Sequence, residues 1–395
     1  MNFKESAAAL LPRLKQDRHW LHRHPELSFQ EYGTTAYIAE QLRAVGIEVV
    51  LFPDYTGCIG VIKGEASGKT VLLRADIDAL PIKENSGVAY ASENDGVMHA
   101  CGHDAHTAML LGAARLLQDA RGELRGNVKL LFQAAEEGFT GSYYYVDKGY
   151  LDDVDFAYGQ HVWPELPVGQ IDVSDGYRMA SCDNFAITVE GISAHGSAPH
   201  LGRDAIVAAS SILLALQTLV SRFNDPANPL VVSVCRMRAG TEFNIITDKA
   251  VLEGTVRTYN LAIRDSIEPE MRRLTASIAA AHGCTAQLDY HRYDEPIINE
   301  QSKINELARN SVRKLLGDSG VGSLPPTLAS EDFGYIMQAK PAAFGFVGCG
   351  IGGAEVQKLH SDKFVMPDEA MIWGAAQYAQ FAYDYLLCTA KEDER

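Results

Sequence analysis

The segment VMHACGHDAHTAML, residues 97–110, crowds His99, Cys101, His103, Asp104 and His106 at the entrance of a helical run. Cys101 and His103 flank one glycine, and a soft and a borderline ligand at i and i+2 can close on one ion from a loop. Alone, the pair reads more readily as a buried cysteine beside an aspartate, Asp104, that caps the helix. A second cluster, FQAAEEG, sets Glu136 and Glu137 side by side just past an apolar strand. Adjacent carboxylates can divide labour, one binding a metal and the other moving a proton, and a solvated acidic turn is the plain alternative. His161, in GQHVWP, stands at another strand end, and His360, in LHSDKF, lies far along the chain.

Together Cys101, His103, Glu137, His161 and His360 offer five S, N and O donors beside strand or helix ends. Five is one more than a structural tetrahedral zinc site uses, and suits two divalent ions that share a ligand roughly 3.5–4 Å apart. Such a mixed set admits Zn, Mn, Co or Ni. Asp76 ends the apolar strand of LLRADIDALPI, where it can accept the proton of a ligand histidine and orient the ring. Arg74 and Asp78 read as structural partners, and His99, His106 and His200 as neighbours rather than ligands. The Gly-rich GCGIGG, residues 348–353, lacks the GK[ST] that would make it a phosphate loop.

The elements that must position these residues alternate. Residues 6–21 and 34–45 read as helices, and 70–75, 127–133 and 156–162 as buried strands. Continuous apolar strands between helices predict an α/β layer fold. The middle differs: strand 184–190, helix 203–223, strands 230–237 and 250–257, helix 264–282 and strand 285–290. That β-α-β-β-α-β order is the split βαβ, or ferredoxin-like, pattern. The α/β texture then resumes with helix 303–316, strand 343–348 and helix 366–387. The expected architecture is therefore a mixed sheet flanked by helices, built from residues 1–178 and 294–395, and interrupted by an inserted domain over 179–293.

Bulk properties narrow the classes. The chain has 395 residues, 47% apolar and 22% charged, with a net charge of −16. That acidity argues against nucleic-acid binding. No run was expected to approach the roughly 20 apolar residues of a membrane helix, so no membrane partner is predicted. Seven scattered cysteines and the lack of a signal-like start predict a cytoplasmic protein without a disulfide framework.

The motifs LHRHPELSFQEYGT, RADIDALP, MHACGHDAHTA, FQAAEEG, GQHVWPELPVG, SAHGSAPH, FNIITD, SEDFG and LHSDKF span most of the chain. In their order and spacing the sequence resembles the dinuclear metal amidohydrolases that include aminoacylases, carboxypeptidase G, hippurate hydrolase and auxin–amino-acid conjugate hydrolases, the last two above all. The resemblance implies two metals held by Cys101, His103, Glu137, His161 and His360, with Glu136 as general base and acid. It implies that the inserted domain is a lid that pairs two protomers. It also implies that His195 stabilises the tetrahedral intermediate in the partner's site, and that Asn244 and Arg257 grip the substrate carboxylate. The implied reaction is hydrolysis of N-acetyl, N-benzoyl or indole-acetyl L-amino acids to a carboxylic acid and a free amino acid. Alternatives are a dipeptidase or exopeptidase on the same scaffold and a non-catalytic metal-binding dimer. The sequence departs from the family pattern at Ala134 and Thr247, where relatives carry proline, and at Arg74, where other branches carry a ligand histidine.

Overall fold

The computed structural model describes residues 2–139, 141–351 and 358–393. It divides into two compact units, one of Met1–Arg178, Ile298–Pro326 and Asp332–Arg395, the other of Met179–Ile297 with Thr327–Glu331. Residues 352 and 353 of the Gly-rich loop lie outside the described residues.

The first unit is built on a seven-stranded mixed sheet. At its centre Ala66–Asp76 pairs in parallel with Arg125–Gln133 and with Phe156–Pro167, which pairs in parallel with Ala342–Gly350. These strands are apolar on both faces because helices cover both, which is why their sequences run without alternation. Two further strands, Glu48–Leu51 and Cys58–Lys63, extend the sheet antiparallel on one side. They were not anticipated; the outer one is four residues long and half-exposed, so it carries little apolar pattern.

Helix His103–Asp119 is buried along nearly its whole length and packs against Ala370–Asp393 and Leu11–Arg23. Leu110, Leu111, Leu116 and Leu117 are each at most 1% exposed, and each such burial contributes about 1.5–3 kcal/mol. The helix starts from Gly102, whose φ of +93° favours glycine and whose added Cβ would lie 2.6 Å from Val162 Cγ2. The expected cap by Asp104 is not made. Asp104 sits buried inside the first turn, and it accepts from Arg18 Nε at 3.0 Å and His22 Nδ1 at 2.9 Å.

The second unit has a four-stranded antiparallel sheet: Leu230–Ala239, Lys249–Thr258, Asp183–Glu190 and Thr285–Arg292, in that spatial order. Helices Ala205–Thr218 and Leu261–Ala281 complete the ferredoxin-like arrangement. Asp204 caps the first helix, its carboxylate accepting from Ile206 N and Val207 N. A π-helical turn prolongs this helix to Phe223, and residues 205–223 are long and apolar enough to cross a membrane by length and composition. This differs from the expectation, on sequence, of no run approaching the length of a membrane helix. Its buried face, Ala205, Ala208, Ala209, Ile212 and Leu216, belongs to the core of this unit, while Val207 and Leu214 are exposed.

Candidate active site

The parallel strands Ala66–Asp76 and Arg125–Gln133 end level with His161 of their neighbour Phe156–Pro167, which runs on to Pro167, so all three bring residues to one edge where sites of α/β sheets form. Cys101 arrives on the segment before helix His103–Asp119, and His360 on a turn whose backbone N–H donates to Ala100 O at 2.8 Å. Five of the residues singled out from sequence therefore meet. Donor atoms of Cys101, His103 and His161 form one triad, and those of Cys101, Glu137 and His360 another, with members of each within 4.8 Å of one another. Cys101 Sγ lies 3.4 Å from His161 Nε2 and 3.3 Å from His360 Nε2, and it is common to both groups.

Hydrogen bonds set which nitrogen each histidine offers. His103 Nδ1 lies 2.9 Å from the Asp78 carbonyl, and His161 Nδ1 lies 2.7 Å from the Val162 carbonyl. A carbonyl only accepts, so both Nδ1 atoms carry a proton and it is the Nε2 atoms that are left to face the cluster. Among the described residues His103 Nε2 is buried without a hydrogen-bond partner, and Glu137 Oε1 faces His360 Nε2 at 3.3 Å without hydrogen-bond geometry. Buried donors left unsatisfied are costly, and here they converge on one point. The donor set fits divalent cations of the softer kind.

Asp76 stands beside this cluster in a different role from the one expected. Its Oδ1 accepts from His106 Nδ1 at 2.6 Å and its Oδ2 from Arg74 Nη1 at 2.8 Å, while His103 Nε2 is 3.8 Å away. His106 Nε2 in turn accepts the Val162 N–H at 2.9 Å. Asp76 thus steadies the strand end that carries His161, and the residue that orients His103 is Asp78. Asp78 Oδ2 also accepts from Glu137 N at 3.0 Å and from Ser28 Oγ at 2.7 Å. Arg74 Nη2 reaches Asp332 Oδ1 at 2.8 Å, so Arg74 is a structural partner, as its sequence position predicts. Asp332 also accepts from Gln133 and Ser142; Glu331 belongs to the second unit.

The electrostatics follow from burial and crowding. Burial, reinforced by Glu137, Glu136 and Asp76, pushes the Cys101 thiol well above 9. Burial would raise Asp76, but His103, His106 and Arg74 outweigh it and hold the carboxyl well below its usual range. Burial opposes charge on His103, yet Asp76, Asp78 and Glu137 push it up to about 10. Burial, with His106, keeps His161 neutral. So much negative potential around a thiol and free imidazole nitrogens is what a divalent cation would balance.

Among the described residues, four non-glycine residues have left-handed backbones: Phe29, Ala135, Phe139 and His360. Ala135 and Phe139 flank the Glu136–Glu137 pair, His360 is a cluster member, and the Phe29 ring would lie 2.7 Å from a Cβ on Gly138. Each such backbone costs about 1–2 kcal/mol, and this strain gathers at the site. Glu136 is 11% exposed with Oε2 4.0 Å from His103 Nε2.

His195, Asn244 and Arg257 belong to the second unit. His195 lies on the short strand Ala194–His195, paired with Ile245–Ile246, and Gly196 N–H donates to Asn244 O at 2.7 Å, so His195 and Asn244 are neighbours. Both are exposed. Ser197 N–H donates to His195 Nδ1 at 3.1 Å, leaving Nε2 as the protonated nitrogen. Arg257 is on a different strand, Lys249–Thr258, where its Nε donates to Thr255 Oγ1 at 3.2 Å.

Sequence reasoning assigned Asp78 only a structural part and passed over Glu31. Glu31 precedes helix Tyr32–Ala44 but makes no side-chain cap; it is 0% exposed and accepts from Ala135 N at 2.8 Å and Thr56 Oγ1 at 2.6 Å. An acidic residue within an apolar stretch, as in ADIDALP, is the signal that could have raised Asp78.

A buried cluster of thiol, imidazole and carboxylate donors at the carboxyl edge of a mixed sheet, with a second carboxylate poised beside it, defines a metallohydrolase-type centre. Residues 72–384 match the model of peptidase family M20/M25/M40, and the chain belongs to that family and is a hydrolytic enzyme. It is similar to the N-acetylcysteine deacetylase of Bacillus subtilis, 39% identical over 371 residues, covering 94% of this chain and 96% of the relative. It is likewise 39% identical over 315 residues to the N-acyl-L-amino acid amidohydrolase of Geobacillus stearothermophilus, covering 78% of this chain and 85% of that one. Among solved structures it is similar to the YXEP protein of Bacillus subtilis, described as a dinuclear metal-binding peptidase of the M20 family. The TM-score there is 0.85 at 36% identity, covering 96% of this chain and 99% of that one.

Proposed function

We propose that this protein hydrolyses the amide bond of N-acyl L-amino acids, releasing a carboxylic acid and a free amino acid, with two divalent ions per subunit. The observation that carries the reading is the pair of donor triads joined at Cys101 with the Glu136 carboxylate beside them. Cys101, His103 and His161 would hold one ion, and Cys101, Glu137 and His360 the other, with Cys101 shared. When bound, such ions polarise a carbonyl and make water a better nucleophile near neutral pH. Zn, Mn, Co and Ni all suit the donors.

Glu136 takes the proton from the attacking water and returns it to the leaving amine. His195, whose Nε2 carries hydrogen, donates to the developing oxyanion. Asn244 and Arg257 grip the carboxylate of the amino-acid half. Asp76 is a positioning residue that acts through His106. The matched relatives named for N-acyl amino acids support this substrate class.

The segment 179–293 acts in this reading as a lid and a dimerisation domain on a catalytic domain of 1–178 and 294–395. Its free sheet edge, Leu230–Ala239, and the exposed Val207 and Leu214 offer a surface for a second copy. The protein would work as a cytoplasmic homodimer.

Two experiments test this. Glu136→Gln should lower turnover of N-acetyl, N-benzoyl or indole-acetyl amino acids by roughly 10²–10⁴-fold while retaining two ions per subunit. Unchanged turnover ends the mechanism, and dipeptides preferred in the same panel would move the substrate class. Mixing His195→Ala with Glu136→Gln protein should restore activity in mixed dimers; lasting inactivity after demonstrated subunit exchange would place each lid histidine in its own subunit's site.

A further inference from the structure

The turn that carries Glu136 is held from three directions. Ala134 N–H donates to Tyr145 Oη at 3.0 Å, Ala135 N–H to Glu31 Oε1 at 2.8 Å, and Glu137 N–H to Asp78 Oδ2 at 3.0 Å. Tyr145 and Glu31 are 0% exposed and Asp78 1%. The middle clamp falls on the strained position: Ala135 has a φ of +58°, a conformation that costs an alanine roughly 1–2 kcal/mol. The following residue is Glu136, so the backbone at Ala135 decides where that side chain leaves the turn.

Glu31 is suited to hold it. Its second oxygen accepts from Thr56 Oγ1 at 2.6 Å, and Thr56 is itself buried, so both carboxylate oxygens are committed. Burial, with Asp78 nearby, pushes the Glu31 carboxyl up to about 7. Oε1 stays an acceptor in either protonation state, because a proton on Oε2 can point at Thr56. The clamp therefore works across neutral pH. A carboxyl group buried without a charged partner is expensive to keep.

We propose that Glu31 is a positioning residue for catalysis, fixing through the Ala135 N–H the direction in which Glu136 faces the reacting atoms. This rests on the reading of Glu136 as the proton carrier. Displacement of a catalytic group by about 1 Å can cost up to about 100-fold, and that is the scale expected.

The test compares Glu31→Met with Glu31→Gln on the metal-loaded enzyme, using an N-acetyl amino acid. Methionine fills the volume but accepts no strong hydrogen bond; glutamine can still accept from Ala135 N–H and donate to Thr56. The expected result is a kcat reduced roughly 10–100-fold in Glu31→Met, with KM and two-ion content kept and kcat largely recovered in Glu31→Gln. Parental kcat in Glu31→Met, or a loss explained by missing metal, overturns the proposal. Should Glu31→Met fail to fold, Glu31→Gln decides: a tenfold or greater loss of kcat there overturns it, and near-parental kcat sustains it. If Glu136→Gln is inactive and Glu31→Met is not impaired, only this proposal falls. If Glu136→Gln is active, the underlying reading falls.

Discussion

The two triads that meet at Cys101 are built to different standards. In the inner one, Cys101, His103 and His161 are 8%, 1% and 5% exposed, and each imidazole is aimed by a backbone carbonyl. In the outer one, the His360 side chain is 53% exposed and sits on a left-handed turn. A buried, pre-oriented trio binds with little reorganisation, whereas an exposed ligand on a turn can swing away and return. One cluster thus combines a fixed half and an adaptable half, and Cys101 is the member neither half can spare.

That contrast can be broken by metal analysis. Cys101→Ala should empty both positions and depress turnover beyond the roughly 10–100-fold that loss of an outer-sphere partner costs. His360→Ala should leave one ion per subunit, and His161→Ala should cost more metal affinity than His360→Ala. Two ions retained in Cys101→Ala, or equal losses in the two histidine variants, would remove the distinction.

The smallest expected effect concerns the footing of the inner half. Asp104, one residue after His103, is tied to His22, which is also 3.2 Å from Glu84. Burial opposes charge on His22, but Asp104 and Glu84 push it up to about 9 from an ordinary 6.5. A raised histidine contributes its full stability below its unfolded value and loses it as pH rises through the folded one. Thermal unfolding should therefore show a Tm that declines by a few degrees between about pH 7 and pH 9.5. The decline should be smaller in His22→Gln; an equal decline in both would detach His22 from the stability of this half.

Much of this is legible in the sequence. The ligands sit in short motifs beside strand and helix ends, and the apolar periodicities that locate those ends are local properties of the chain. The ferredoxin-like order of the middle segment was legible for the same reason. The antiparallel strands Glu48–Leu51 and Cys58–Lys63 were not: the first is a four-residue, half-exposed edge that needs little pattern, and the second is a six-residue buried run whose apolar residues alone do not tell a strand from a helix. The helix over 203–223 was legible as a helix, but not that its segment 205–223 is apolar enough in length and composition to cross a membrane.

The sequence by itself determined which donor chemistries are present, which strands and helices carry them, and that two carboxylates stand adjacent. Only the tertiary structure decided how those groups divide. Cys101 became the shared atom because residues 60 and 259 positions away both bring a nitrogen to within 3.4 Å of its sulfur. Asp78 rather than Asp76 took the proton of His103, and Asp104 became an ion-pair partner rather than a cap. The physical reason is common to all three. Buried polar atoms must find partners, and the nearest partner in space is set by packing between distant segments, which no local pattern encodes.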